Sequence, residues 1–574
     1  MPETISTSKV RIPQSVRRPS QDTAATLRRL GSNLWVQAAV FFSLLLLRSS
    51  ARLFHPQVWD EDGTRNIFDF VHYGLGSLFS SVNGYLLLIP KCITLVSLSV
   101  SFSYYPLIST VIAWCVILAA LVVVASPGTQ LRGGLLLGAL ALMVPTDTEV
   151  FGLPSYTFWW ATLAVFAVVL WEKNSTDLKW RLAVVVLTGL SSPVIIGVAP
   201  FFLLRSVLYR KVWQEWIVSS SAVVCALVQF LVWKSWAAQH APPVNLTAAK
   251  VGHIIPEFFG RYLVGNLLHG NASLWVAGMV VLAFLAVLFV RYRQSAAYWL
   301  TAGLLIASIA MVAGRVDVSI IDPVLAGQRY FFFPFILVSW CLLQATAGDK
   351  SWYWRFISSL LIALSVLNVV PVVRRVCHDD LHWREHVLSC PFFARYLTPI
   401  EYNGRAFRAW QLDLTGAECR SLLRHDLLIA LRRRPLTFPY AVLPYVPAAD
   451  SVSFATWGSV IRNEWAGSVP PLDRSAGMDT LTSFRSAPRS AQLTLGLRRG
   501  QAVLYRSGPL TTHLKVLING GTSPFLQSLP PLPAWSVLSF SNSTLPEQFT
   551  VTFVAGRSPA DWVEIGLARP PVQY

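Results

Sequence analysis

The chain reads VWDEDGTR at residues 58–65, placing three consecutive carboxylates, Asp60, Glu61 and Asp62, just beyond its first long apolar run, about Leu34 to Leu47. Charged residues make up 13% of the 574 and hydrophobic residues 54%, with a mean hydropathy of +0.50. That charge share is about half the usual value for globular domains. In so apolar a chain, three adjacent acids mark a point where a membrane span meets water.

Working outward, the residues before the first run are polar and carry Lys9, Arg11, Arg17, Arg18, Arg28 and Arg29 against Glu3 and Asp22. Positive charge before a first span keeps that end in the cytoplasm. No small-residue cleavage site follows the run, so it reads as an uncleaved span and not a signal peptide. Beyond the acids, Ile67, Phe68, Phe70, Val71, Leu75, Leu78 and Phe79 recur at near-helical spacing around Gly74 and Gly76, a pattern for short helices lying in the interface. Apolar runs follow at about 84–102, 106–125, 131–145, 155–171, 181–204, 215–233, 273–290, 297–314, 328–346 and 353–373. A helix needs about 20 such residues to cross the hydrocarbon core. The count is about eleven spans, and an odd number puts the two termini on opposite sides.

Loop charges at Arg205, Arg210 and Lys211, at Arg291 and Arg293, and at Lys350 and Arg355 fall on alternate loops, as the positive-inside rule requires. Lys173, Lys179 and Arg181 break the pattern, and Ser191-Ser192-Pro193 interrupts the run at 181–204. That run therefore reads either as one span or as two half-helices. The net charge of +18 serves orientation and attraction to anionic lipid and phosphate. With no basic patch interleaved with aromatics on a soluble element, nucleic acid is excluded as a partner.

Past Pro371 no run is long enough to span. Helices are expected to about Arg434, beginning with a segment whose His378, His382 and His386 share one face and read as part of a charged surface helix. Beyond Pro435, short alternating runs such as 501–505, 514–518 and 549–553 between turn residues predict a mostly antiparallel β domain, a sandwich. Cys92, Cys115, Cys225 and Cys341 lie in apolar runs, whereas Cys377, Cys390 and Cys419 lie in this later region, where one disulfide among the three fits an oxidising compartment.

Clustered carboxylates raise one another's pKa or recruit a cation. They suit a general base acting on a hydroxyl. Asp147 and Glu149 form a second acidic break between apolar runs, where a buried acid is costly without a role. Arg329 opens a late span and Arg315 closes the one before it, and an arginine fork suits phosphate. Arg65 and Lys91 are further cations near the acids, Lys91 several residues inside an apolar run. The outer loop at about 234–272 adds His240, His253, Glu257, Arg261, Asn266 and His269, which read first as a solvated loop.

The Trp59-Asp60-Glu61-Asp62-Gly63 stretch, Gly76-Ser77-Leu78-Phe79, Gly84-Tyr85-Leu86-Leu87-Leu88-Ile89-Pro90 and Gly327-Gln328-Arg329-Tyr330-Phe331-Phe332-Phe333-Pro334 together resemble the GT-C superfamily of integral-membrane glycosyltransferases, most of all bacterial members with a Glu-Asp-Gly motif. The resemblance covers about residues 30–373 and departs from the pattern at Glu149 to Trp160. It implies a multi-pass protein of the bacterial inner membrane that inverts the sugar it transfers from a polyprenyl-phosphate-linked donor to a glycan or lipid-linked acceptor of the cell envelope. Glu61 or Asp62 would be the catalytic base, and Arg329, Lys91 and Arg65 would hold the donor phosphate, with Asp60, Asp147 and Glu149 of second rank. No cofactor is specified, and a divalent metal is compatible with the acids without being required.

The expected organisation is a cytoplasmic tail at 1–33, a GT-C-like transmembrane module at 34–373 with its first outer loop at 55–83, a helical connector at 374–434 and a β-rich extracytoplasmic domain at 435–574. Two rival classes fit the same sequence. One is a transporter or flippase of lipid-linked glycans, which tends to carry internal repeats and charges near the midplane. The other is a non-catalytic envelope assembly protein.

Overall fold

A computed structural model describes residues 33–172, 178–240 and 251–373 (short of 269 and 350), and beyond 380 mainly helix and strand segments. The helices are α1 (Leu34–Phe54), α2 (Phe68–Tyr73), α3 (Leu88–Val100), α4 (Tyr105–Ala125), α5 (Leu135–Leu142), α6 (Thr157–Val169), α7 (Leu178–Gly189), α8 (Ile195–Leu208), α9 (Trp213–His240), α10 (Arg261–Val264), α11 (Asn271–Arg291), α12 (Ala296–Ala313), α13 (Phe332–Gly348) and α14 (Trp352–Leu367).

The chain is a polytopic helical membrane protein, but it does not have eleven spans. Among the described residues seven helical segments are long and apolar enough to cross, those of α1, α4, α9, α11, α12, α13 and α14, and three apolar helices are shorter. The differences have local causes. In the run at 131–145, Gly133 and Gly134 adopt φ of 129° and 46°, a turn that only glycine makes without strain, which leaves eight helical residues in α5. In the run at 84–102, Asn83 and Gly84 at φ of 50° and 87° close a tight turn, and only 13 residues of α3 follow.

The run at 181–204 is two helices, α7 and α8, joined at Ser191-Ser192-Pro193. Arg181 at the start of α7 and Arg205 near the end of α8 both grip Glu215 at the start of α9, at 2.7 Å each. The two helices therefore form a hairpin that leaves one end of the bundle and returns to it. Its tip meets the start of α3, where the Ile89 amide donates to Ser191 Oγ at 2.8 Å and Gln229 of α9 donates to the Leu86 and Gly189 carbonyls at 3.1 Å each. Lys179 and Arg181 thus share an end with Arg205, Arg210 and Lys211, and their conflict with the loop charges disappears.

At the opposite end α6 is walled by α13. Trp159, Trp160 and Phe166 pack edge-on or tilted against Phe332 and Phe333, with ring centroids 4.8–5.0 Å apart in the closest pairs. All of α6 is buried, so it serves as the central strut of the bundle.

The stretch at 374–434 is not all helical. It contains an antiparallel pair, β1 (Arg395–Tyr402) and β2 (Arg405–Thr415), between a helix at Trp383–Ser389 and one at Gly416–Arg424. Of the three histidines read as a surface helix, His378 and His382 lie outside the described residues, and His386 is buried with Trp383 and Val387. Cys390 and Cys419 form a disulfide that brackets the β1–β2 pair. Further on, strands between Ala441 and Ala568 build two five-stranded antiparallel sheets. Val503 and Leu538 from one sheet share a single apolar core with Leu495, Val516, Val551 and Phe553 from the other, which makes them the two layers of a sandwich.

Candidate active site

The acidic stretch leaves α1 through a kink at Ser49, whose φ of −149° and ψ of 36° break the helix. Arg48 and Ser49 are anchored there on carbonyls of the second acidic loop: Arg48 donates to Val144 at 2.9 Å and Ser49 to Phe151 at 3.1 Å. The first loop is held from outside by β1. The Glu401 amide donates to the Val58 carbonyl at 2.9 Å, and its carboxylate lies 3.7 Å from the Arg52 guanidinium. A Cβ at Gly63 would collide with Ile400, so the glycine lets β1 seat against the loop.

Asp62 to Ile67 then form one wide helical turn. Asp62 turns inward: it is buried and accepts from Ser155 Oγ at 2.6 Å and Asn66 Nδ2 at 3.2 Å through the same oxygen. Its other oxygen, and Oδ1 of Asp60, make no hydrogen bond among the described residues. Burial pushes Asp62 up to about 7 against those two hydrogen bonds. Burial, with repulsion from Glu61 next, pushes Asp60 up to about 8. A carboxylate removed from water favours its neutral form.

Glu61 is half-buried and faces a different set of groups. Burial raises its pKa as well, while Arg329 opposes the rise, Glu149 adds to it, and the Tyr156 hydroxyl and Arg65 oppose it. Arg329 is itself gripped by the second acidic loop. Its Nη1 lies 2.6 Å from Glu149 Oε1 and 2.7 Å from the Tyr156 hydroxyl, which donates to Glu149 at 3.1 Å. The Arg329 amide also donates to Glu149, at 3.2 Å. Gly327 at φ of 69° turns the chain into this segment, and Asp322, capped on the Val324 and Leu325 amides and paired with Arg261 at 2.6 Å, fixes the loop ahead of it.

Glu61, Glu149 and Arg329 therefore come together with Asp60 and Asp62 around them. Arg65 is exposed and near enough to influence Glu61. Lys91 is engaged elsewhere: it is buried on Asp69 at 2.8 Å and on Ser80, beneath the interfacial helices. Asp147 lies beside Arg48 and accepts from Thr148. Ser155 as a partner of Asp62 escapes a sequence reading, because 93 residues separate the two and only the fold brings them together, whereas Asn66 lies four residues from Asp62 on the same turn and Tyr156 seven from Glu149. Arg315, exposed at the end of α12, adds a second cation. It lies 4.4 Å over the Tyr85 ring and in electrostatic range of Tyr330 and Glu61. Among the described residues no three His, Cys, Asp or Glu side chains converge as metal ligands.

No family model and no curated protein matches the chain. Among solved structures, it is similar to arabinosyltransferase EmbB from Mycobacterium smegmatis, with 10% identity, 93% of this chain covered and a TM-score of 0.32. The match spans 64% of that protein's length.

Proposed function

We propose that the chain is an inverting membrane glycosyltransferase. It takes a sugar from a polyprenyl-phosphate donor and passes it to a hydroxyl of a cell-envelope glycan or lipid acceptor at the outer face of the inner membrane. The observation that carries this reading is a half-buried glutamate of raised pKa, Glu61, lying within electrostatic range of two arginines, Arg329 and Arg315, at one end of an apolar bundle. Glu61 takes the proton of the acceptor hydroxyl. The oxygen attacks the anomeric carbon from the face opposite the phosphate, the bond from that carbon to the phosphate oxygen breaks, and the electron pair leaves on the lipid phosphate. The arginines offset the charge that develops there. Asp62, held by Ser155 and Asn66, shapes the loop, and the choice of base falls on Glu61 because it alone of the adjacent acids is not buried.

Purified protein in lipid should transfer sugar from at least one member of a panel of polyprenyl-phosphate sugars to an envelope-derived acceptor. Translocation of such a lipid across vesicles without transfer would favour the flippase reading, and neither activity would favour an assembly role.

In the proposed orientation the site is extracytoplasmic and the N-terminus cytoplasmic. Support comes from Arg181, Arg205, Arg210, Lys211, Arg291 and Arg293, which lie at the end of the bundle opposite the acids. A membrane-impermeant thiol reagent applied to intact spheroplasts is expected to label Arg498→Cys on the sandwich and spare Arg210→Cys. The reverse pattern would invert the topology and sink the outer-face assignment.

A further inference from the structure

We infer that a groove at the basic end of the bundle is a site for the headgroup and proximal acyl chain of an anionic phospholipid. The groove, about 820 Å³, lies between the end of α11 and the start of α14, and its walls include Val287, Val290, Arg291, Arg293, Gln294 and Trp354. Its two ends differ in chemistry. Val287 and Val290 are 45% and 65% exposed on the lipid-facing side of α11, a surface for hydrocarbon. One turn further on the chain presents two guanidiniums and an amide.

The two arginines are not equivalent. Arg291 is held by Asp349, with Nη2 2.9 Å from Oδ1 and Nε on Oδ2, while the Tyr292 hydroxyl donates to the same carboxylate at 2.7 Å. Its guanidinium lies 5.6 Å from the Trp354 ring centroid. Asp349 thereby neutralises one positive charge and fixes the wall of the groove. Arg293 is exposed and makes no ion pair among the described residues, so two arginines and one carboxylate leave a surplus of one positive charge. The turn bearing it is rigid, because the Trp299 indole donates to the Arg293 carbonyl at 2.6 Å and the Ser295 amide to Tyr292 at 2.8 Å.

The depth of the groove follows from its neighbours. Trp352, Tyr353 and Trp299, which are 75%, 45% and 49% exposed, form a belt at this end of α12 and α14. Aromatic belts mark the level of lipid headgroups. A phosphodiester against Arg293 and Gln294, with its chain along Val290 and Val287, matches both the charge and the polarity of the groove, and basic pockets between spans are a recurrent means of holding anionic headgroups. This inference does not depend on the transfer reading.

The test is thermal unfolding of the full-length protein in detergent with added short-chain phosphatidylglycerol, phosphatidylcholine or glycerol phosphate. Phosphatidylglycerol should raise the midpoint by about 2–4 °C over phosphatidylcholine, since a ligand of the folded state alone stabilises it by mass action. Arg293→Gln should abolish that difference while leaving the midpoint in phosphatidylcholine unchanged, because the Arg291–Asp349 pair is untouched. Equal midpoints in the two lipids would overturn the inference, as would a rise retained in Arg293→Gln. A rise of the same size with glycerol phosphate alone would also overturn it, by showing a site for free phosphate.

Discussion

Glu61→Gln is expected to lower sugar transfer by about 10²–10⁴-fold, the range a positioned general base contributes, with little change in the apparent affinity for the donor. The pH profile carries the sharper test. A base works deprotonated, and burial holds Glu61 above the ordinary glutamate range. The wild-type rate should therefore climb with pH through that raised value and level off above it. The Gln variant should lose this limb along with the rate. Asp62→Asn keeps the hydrogen bonds from Ser155 and Asn66 to the remaining oxygen, and should cost far less. Wild-type activity in Glu61→Gln, or a Glu61 limb surviving while Asp62→Asn is dead, would move the base to Asp62.

How much of this was legible in the sequence depends on the range of the interaction. Asp60, Glu61 and Asp62 were readable because three charges cannot sit in hydrocarbon, and that requirement is local. The partner of Arg329 was not, because Glu149 lies 180 residues away and reaches it only once α6 packs against α13. Lys91 is legible in need but not in partner. A lysine inside an apolar run needs an anion, and the structure supplies Asp69 from the neighbouring helix. The hairpin of α7 and α8 was half legible: Ser191-Ser192-Pro193 signalled the break, but only Glu215 shows that both halves return to one end. The β1–β2 pair hid within a stretch whose Pro399 and irregular register weaken the alternation that marks a strand.

That same hairpin carries the largest stability effect expected. Arg181 and Arg205 contact Glu215 through four hydrogen bonds of 2.7–3.1 Å, and the three side chains are 5%, 0% and 1% exposed. Arg205 also donates to the Val169 carbonyl at 2.9 Å and to that of Trp171, capping the end of α6, where the helix dipole favours a cation. Glu215→Gln would leave two buried guanidiniums without a countercharge. Removing one partner from a buried ionic group costs about 3–5 kcal/mol, and that loss should appear in denaturant unfolding of the purified protein. Replacing all three by apolar residues, Arg181→Leu, Glu215→Leu and Arg205→Met, should recover much of it, because the penalty comes from the unpaired charge and not from lost attraction. The triad sits at the end of the bundle opposite Glu61, so the Gln variant should keep its activity per folded molecule at low temperature. A loss below about 1 kcal/mol, the range of an exposed pair, would mean that water reaches the triad and that this end of the hairpin is open.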